Sequence, residues 1–155
     1  MPDKKYFIKL FFPGLLLIFS IVVVFQGISE KERKNFWTSE GGEIKIGENI
    51  FQTEVANSAA KKRQGLSSRE SLCENCAMLF LFNEKGLHSF WMKEMNFDLD
   101  ILWIDKNEIV YMAKNVSRKN ERKIIKPDRE ADKVLEINAG LADKLGIEIG
   151  DNVEF

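Results

Sequence analysis

Two cysteines three positions apart, a single histidine and two carboxylates in apolar stretches are the residues of this chain with types and spacing suited to chemistry. Cys73-Glu74-Asn75-Cys76 supplies half of a zinc site. With His88 the only histidine and no second cysteine pair, a closed tetrahedral site lacks its ligands. No metal and no cofactor is expected. In an oxidising compartment the pair would instead close a small disulfide and stiffen the loop between Leu72 and Met78. A thiol oxidoreductase acting through Cys73 and Cys76 remains an alternative, although such a catalyst wants its motif at the start of a helix that follows a strand.

In Leu99 to Asp105, Leu99, Ile101 and Trp103 alternate with Asp100, Leu102 and Ile104, so both faces of a strand are apolar and Asp100 is a carboxylate among aliphatics. A buried charge persists only when paired or hydrogen-bonded, and Arg69 and Lys93 are the expected partners. The group is either an ion pair that pins the strand or the floor of a cleft in which Arg69 or Lys93 holds an anionic ligand. Glu136 shares a strand face with Val134. It is either an edge-strand glutamate bonded to a nearby loop or, facing Asp100, half of an acid–base pair whose pKa values are split by environment.

His88 alternates with Phe90 and Met92 in Leu87 to Met92, with Trp91 and Lys93 on the opposite side. A lone histidine on a partly apolar face reads as a structural residue before a catalytic one, and Trp91 as core before a sugar-stacking platform. Both stay among the ligand-binding candidates, with Arg69, Lys93, Asp100 and Glu136.

These residues must be positioned by short elements. Ile44 and Ile46, then Ile50, Phe51 and Val55, flank Gly47-Glu48-Asn49 and predict a hairpin. Asn57 or Ser58 caps a helix from Ala59 to Gln64 that Gly65 ends. Strands are predicted over Ala77 to Phe82, Leu87 to Met92, Leu99 to Asp105 and Glu108 to Val116, with turns at Asn83 to Gly86 and at Lys106-Asn107. Ser117 to Ala131 is a basic, polar loop. Lys133 to Ile137 reads as a strand, Asn138 as the cap of a second helix ending near Leu145, and Val153 to Phe155 as a last strand. Many short strands with two short helices predict a mainly β fold, an antiparallel barrel-like sandwich. Twelve phenylalanines and three tryptophans are enough for its core.

The run from Leu10 to Ile28 carries no charge and, at about 1.5 Å per residue, approaches the thickness of a bilayer. Phe25-Gln26-Gly27-Ile28 offers no small-x-small cleavage site, so the run is expected to stay as a signal anchor, with a cleaved signal peptide as the alternative. Lys4, Lys5 and Lys9 on one flank match Lys31, Arg33 and Lys34 on the other. The short tail before the run and the domain after it decide the orientation. The expected plan is a cytoplasmic tail over 1–9, a transmembrane anchor over 10–28, a linker over 29–42 and one domain over 43–155, outside the cytoplasmic membrane.

Several motifs stand in a recognisable order: Gly65-Leu66 with Arg69-Glu70 and Leu72; Met78-Leu79-Phe80 with Phe82; Phe90-Trp91-Met92-Lys93; Leu99-Asp100-Ile101-Leu102; Leu135-Glu136 with Asn138-Ala139-Gly140; and Gly146-Ile147. Over roughly Ile44 to Phe155 the chain resembles the domain of unknown function 192 family. The resemblance implies a small β-dominated domain, often behind a signal or anchor segment, and no established activity. The sequence departs from the family pattern at Ala77, usually glycine, and at Asp98, often proline. A β-carbon at Ala77 disfavours left-handed backbone, and Asp98 loosens what proline would stiffen.

Lysine plus arginine (23) balances aspartate plus glutamate (24), so no global field recruits nucleic acid, and none is expected as a partner. The function expected is that of an anchored envelope module binding a polar ligand or a partner protein. A hydrolase or lyase acting on envelope material through Asp100 and Glu136 is the enzymatic alternative.

Overall fold

Alternating apolar residues build the first hairpin as expected. In the computed structural model, which describes residues 41–155, β1 (Gly42–Ile46) pairs with β2 (Asn49–Ala56), Ile44 opposite Phe51, around Gly47-Glu48. The expected tail, membrane anchor and nearly all of the linker lie outside the described residues. Among the described residues no helix is long and apolar enough to cross a membrane. Ser58 caps α1 (Ala59–Gln64) by accepting the Lys61 N–H at 3.2 Å. Gly65 ends the helix at φ +50, a conformation that suits glycine, and a β-carbon there would meet Phe80 at 3.4 Å.

The remaining elements are β3 (Cys76–Gly86), β4 (Leu99–Asp105), β5 (Glu108–Val116), a 3-10 turn (Arg118–Asn120), β6 (Ala131–Asn138), α2 (Leu141–Lys144) and β7 (Val153–Glu154). They form one seven-stranded sheet in the order β5-β4-β6-β3-β2-β1-β7. The sheet curls into a half-barrel whose end strands approach through a Glu108–Asn152 bridge and the Val153 N–H, which donates to the Asn107 carbonyl at 2.7 Å.

The mainly β reading with two short helices holds, but the fully antiparallel sandwich does not. β2 and β3 run parallel, Thr53 beside Ala77 and Val55 beside Leu79, while the other pairs are antiparallel. The connection over 57–75, with α1 inside it, is long enough for the crossover that parallel pairing needs. Ala77 sits within this pairing and outside the positive-φ residues, as its β-carbon requires. A single sheet replaces a sandwich because both of its faces are covered. One face packs against α2, where Leu102, Ile104, Leu135 and Ile137 meet Leu141 and Ala142. The other is roofed by loops, where Phe80, Ile101, Trp103 and Val134 meet Leu66, Met92, Met95 and Ile125.

Three local expectations are corrected. Asn83 to Lys85 are not a turn, because β3 continues through them to Gly86. Leu87 to Met92 is not a strand; its one ladder contact is a bridge between Phe90 and Ile125, and the segment serves as roof. Asn138 does not cap α2. Its amide donates to the Leu72 and Cys73 carbonyls at 3.1 and 2.9 Å, and the N-cap position belongs to Gly140 at φ +81.

Candidate functional site

Asp100 is fully buried, on the α2 face of β4, but neither expected partner reaches it. Its carboxylate accepts the Asn115 N–H at 2.7 Å and the Ala142 N–H at 2.9 Å. The first bond follows from an irregularity in the β4–β5 ladder, where Asn115, at φ +53, turns its N–H out of the strand pairing. The second follows from Gly140, which has no side chain to cap α2, so Asp100 supplies the acceptor from a different strand. Asp98 acts similarly at the surface, accepting the Arg118 N–H at 2.8 Å.

Glu136 lies on the loop face of β6, in register with Met78 of β3 and Ile101 of β4. The strand is central, so the edge-strand reading is corrected. The side chain is 5% exposed and has no hydrogen bond or ion pair among the described residues. Burial pushes its carboxyl up to about 8, so it is mostly protonated at neutral pH. It does not meet Asp100, which shares the opposite face with Ile137.

Arg69 grips Glu54 through both carboxylate oxygens at 2.6 and 2.8 Å. That hydrogen-bonded pair lowers the Glu54 pKa and raises that of Arg69. Lys93 is exposed and stands 3.5 Å from Glu94. The expected cleft of Arg69, Lys93 and Asp100 is therefore not assembled, because each group satisfies its charge elsewhere.

A different groove forms between α1 and residues 89–94. One stretch of it, about 410 Å³, is lined by Arg63, Gln64, Ser67, Trp91, Lys93 and Glu94. The adjoining stretch, about 300 Å³, shares Arg63 and Trp91 and is floored by Phe80, Phe82 and Phe90 beside Lys62. The expectation that Trp91 is core is overturned, since it is 52% exposed. Phe90 and Met92 take the inward positions of the alternation and leave Trp91 and Lys93 outward. His88 closes one end: its ring stacks on Phe82 at 3.5 Å and its Nε2 lies 3.1 Å from the Glu84 carbonyl. Lys62 stands 4.5 Å from the Phe82 ring centre. The His88 backbone carbonyl accepts the Trp103 indole N–H at 2.7 Å, a structural use of that position.

Lys62, Arg63 and Phe82 escape a reading of the sequence because helix-forming residues such as Lys61-Lys62-Arg63 look like a solvated face. Only the path of the chain after Gly65 brings residues 89–94 alongside them. Cys73 and Cys76 lie at disulfide distance, Cα atoms 5.1 Å apart, with Cys73 just before β3, Cys76 its first residue and no helix following. Among the described residues no group of three or more histidine, cysteine, aspartate or glutamate side chains could hold a metal ion.

Two solved structures are similar to this chain. A protein of unknown function from Novosphingobium aromaticivorans is 31% identical, the match covering 73% of this chain and 84% of that one, with a TM-score of 0.69. A protein from Sinorhizobium meliloti, provisionally described as a transcription regulator, is 28% identical over 72% of this chain and 91% of its own, also with a TM-score of 0.69. No curated protein matches. The profile of DUF192, described as an uncharacterised ACR, matches residues 42–155, and the chain belongs to that family.

Proposed function

We propose that this protein is a binding module, tethered outside the cytoplasmic membrane by its N-terminal segment, that takes an anionic ligand in the groove between α1 and Trp91. The groove carries this reading: Lys62, Arg63 and Lys93 stand around an aromatic floor, with Glu94 the one acidic residue lining it. A guanidinium presents a planar fork of donors that suits carboxylate or phosphate oxygens, and the exposed indole of Trp91 offers a face for a ring or an apolar stem. No nucleophile stands beside a base here, so binding is favoured over catalysis. The tether rests on the uncharged run from Leu10 to Ile28. A reporter fusion that placed the C-terminus in the cytoplasm would refute the location.

The test of binding is thermal unfolding of residues 41–155 against nucleotides, cell-wall fragments, lipid headgroups and metals, since a ligand of the folded state raises the midpoint by mass action. A shift caused by anionic compounds and lost in Arg63→Glu supports the groove. A shift that survives this substitution places the ligand elsewhere.

One observation favours a second reading. A mostly protonated, unpaired carboxyl at Glu136 is the form a proton donor needs, so a hydrolase or lyase would use Glu136 alone, without Asp100. Loss of turnover in Glu136→Gln, on a substrate found among envelope glycans or peptides, would support it.

A further inference from the structure

The bridge between the roof segment and the basic loop arranges the protein surface beyond the groove. The Phe90 N–H donates to the Ile125 carbonyl at 2.9 Å, and the Ile125 N–H donates back to the Phe90 carbonyl at 2.8 Å. Phe90 and Ile125 both turn inward to the loop-face core. In extended backbone the next residues point the other way, and antiparallel pairing sets Trp91 beside Ile124 on the outside. Their exposures, 52% and 64%, agree. Cations line the same hollows as each member of this apolar pair. Arg63 and Lys93 come from the groove, while Lys123 and Lys126 come from the loop. From Arg118 to Lys126 the loop holds five basic residues and one acidic residue, Glu121.

We infer that this face docks on the anionic phospholipid headgroups of the bilayer that tethers the chain. The inference rests on the groove being an anion site and gives that anion a source. Indole rings favour the headgroup level of a membrane, where Trp91 would lie while Ile124 reaches toward the acyl boundary. Basic residues close to an anionic surface add to binding one by one. Cations drawn from three separate segments match an extended charged surface better than a single anionic group.

The test uses residues 41–155, which contain both core clusters and correspond to most of the chain in both solved relatives. This segment holds two tryptophans, and Trp103 is fully buried, so Trp91 reports contact. Phosphatidylcholine vesicles with phosphatidylglycerol should pull the domain down and shift its emission to the blue, whereas phosphatidylcholine alone should not. Ile124→Ser should abolish most of the shift, and the double change Lys123→Glu, Lys126→Glu should weaken binding at least tenfold. Unchanged thermal midpoints would show that the variants still fold. Binding that ignores both sets of changes, or no binding to anionic vesicles, overturns the membrane face. Glycerol phosphate in solution separates the two claims. If it binds in an Arg63-dependent way while vesicles do not, the groove stands and the membrane face falls; if neither binds, both fall.

Discussion

Asp100 and Glu136 sit on neighbouring strands one residue out of step, and that single step puts their carboxyl groups on opposite faces of the sheet. Ile101 stands opposite Glu136, and Ile137 opposite Asp100. The two acids therefore have separate fates. Asp100 is held by two backbone N–H groups and serves the fold, while Glu136 is held by none.

Glu136 should make stability depend on pH in the alkaline direction. Its carboxyl titrates near 8 in the folded protein against about 4.5 when exposed, so the folded state keeps a proton that the unfolded state has released. The sign follows directly: the favourable neutral form is fully available below about 4.5, stability falls as pH rises toward 8, and it levels off above. Glu136→Gln should flatten this slope and be more stable than the parent at pH 9, by at most about 5 kcal/mol. Urea unfolding at pH 5, 7 and 9 measures it. Equal slopes in both proteins would mean that the carboxyl ionises freely in the fold.

Asp100→Ala should cost about 2–4 kcal/mol, because it leaves the N–H groups of Asn115 and Ala142 without their acceptor in a dry interior. Arg69→Ala should cost about 1 kcal/mol or less, since both members of its pair with Glu54 are more than a third exposed. Denaturant midpoints of the two variants give the comparison. A larger loss at Arg69 would reverse the roles assigned to them.

What the sequence revealed and what it hid divide along physical lines. The β4 strand was legible because its alternation is set by its own residues, and both faces were rightly read as buried. The partners of Asp100 were not, since backbone N–H groups carry no side-chain signature and depend on a bulge at Asn115 and a glycine at position 140. Alternation in Leu87 to Met92 sets Trp91 apart from Phe90 and Met92 as the structure does, yet it did not show that Trp91 faces outward, and it predicted a strand where one bridge exists. Periodicity reports which side is buried, not whether a ladder continues. The parallel pairing of β2 with β3 was hidden because it depends on where the crossover returns.

Reduction of Cys73–Cys76 should loosen its loop without unfolding the domain. The bond closes a ring of only four residues, for which the chain-entropy estimate is about 2 kcal/mol. The same loop is also held by Asn138 at the Leu72 and Cys73 carbonyls and by the Gln52 N–H on the Asn75 carbonyl at 2.8 Å. Thermal midpoints with and without dithiothreitol, alongside thiol alkylation to establish the starting state, would test this. Complete unfolding on reduction would assign the bond a larger structural part than its ring size allows.

His88 and Trp103 share one hydrogen bond that the imidazole does not make. The indole N–H of Trp103 donates to the His88 backbone carbonyl at 2.7 Å, and Trp103 packs edge-on against Phe90 and Tyr111. Replacing the histidine ring leaves that carbonyl in place and removes the half-exposed stack on Phe82 and the exposed Nε2 contact to the Glu84 carbonyl. His88→Ala should therefore cost about 1 kcal/mol or less. Trp103→Phe removes the donor and leaves space in a fully buried site, and should cost about 2–4 kcal/mol. If His88→Ala proved as damaging as Trp103→Phe in equilibrium unfolding, the imidazole would have a part in the fold beyond its stacking. If it left stability unchanged but abolished binding in the groove, the ring would belong to the ligand site that it borders.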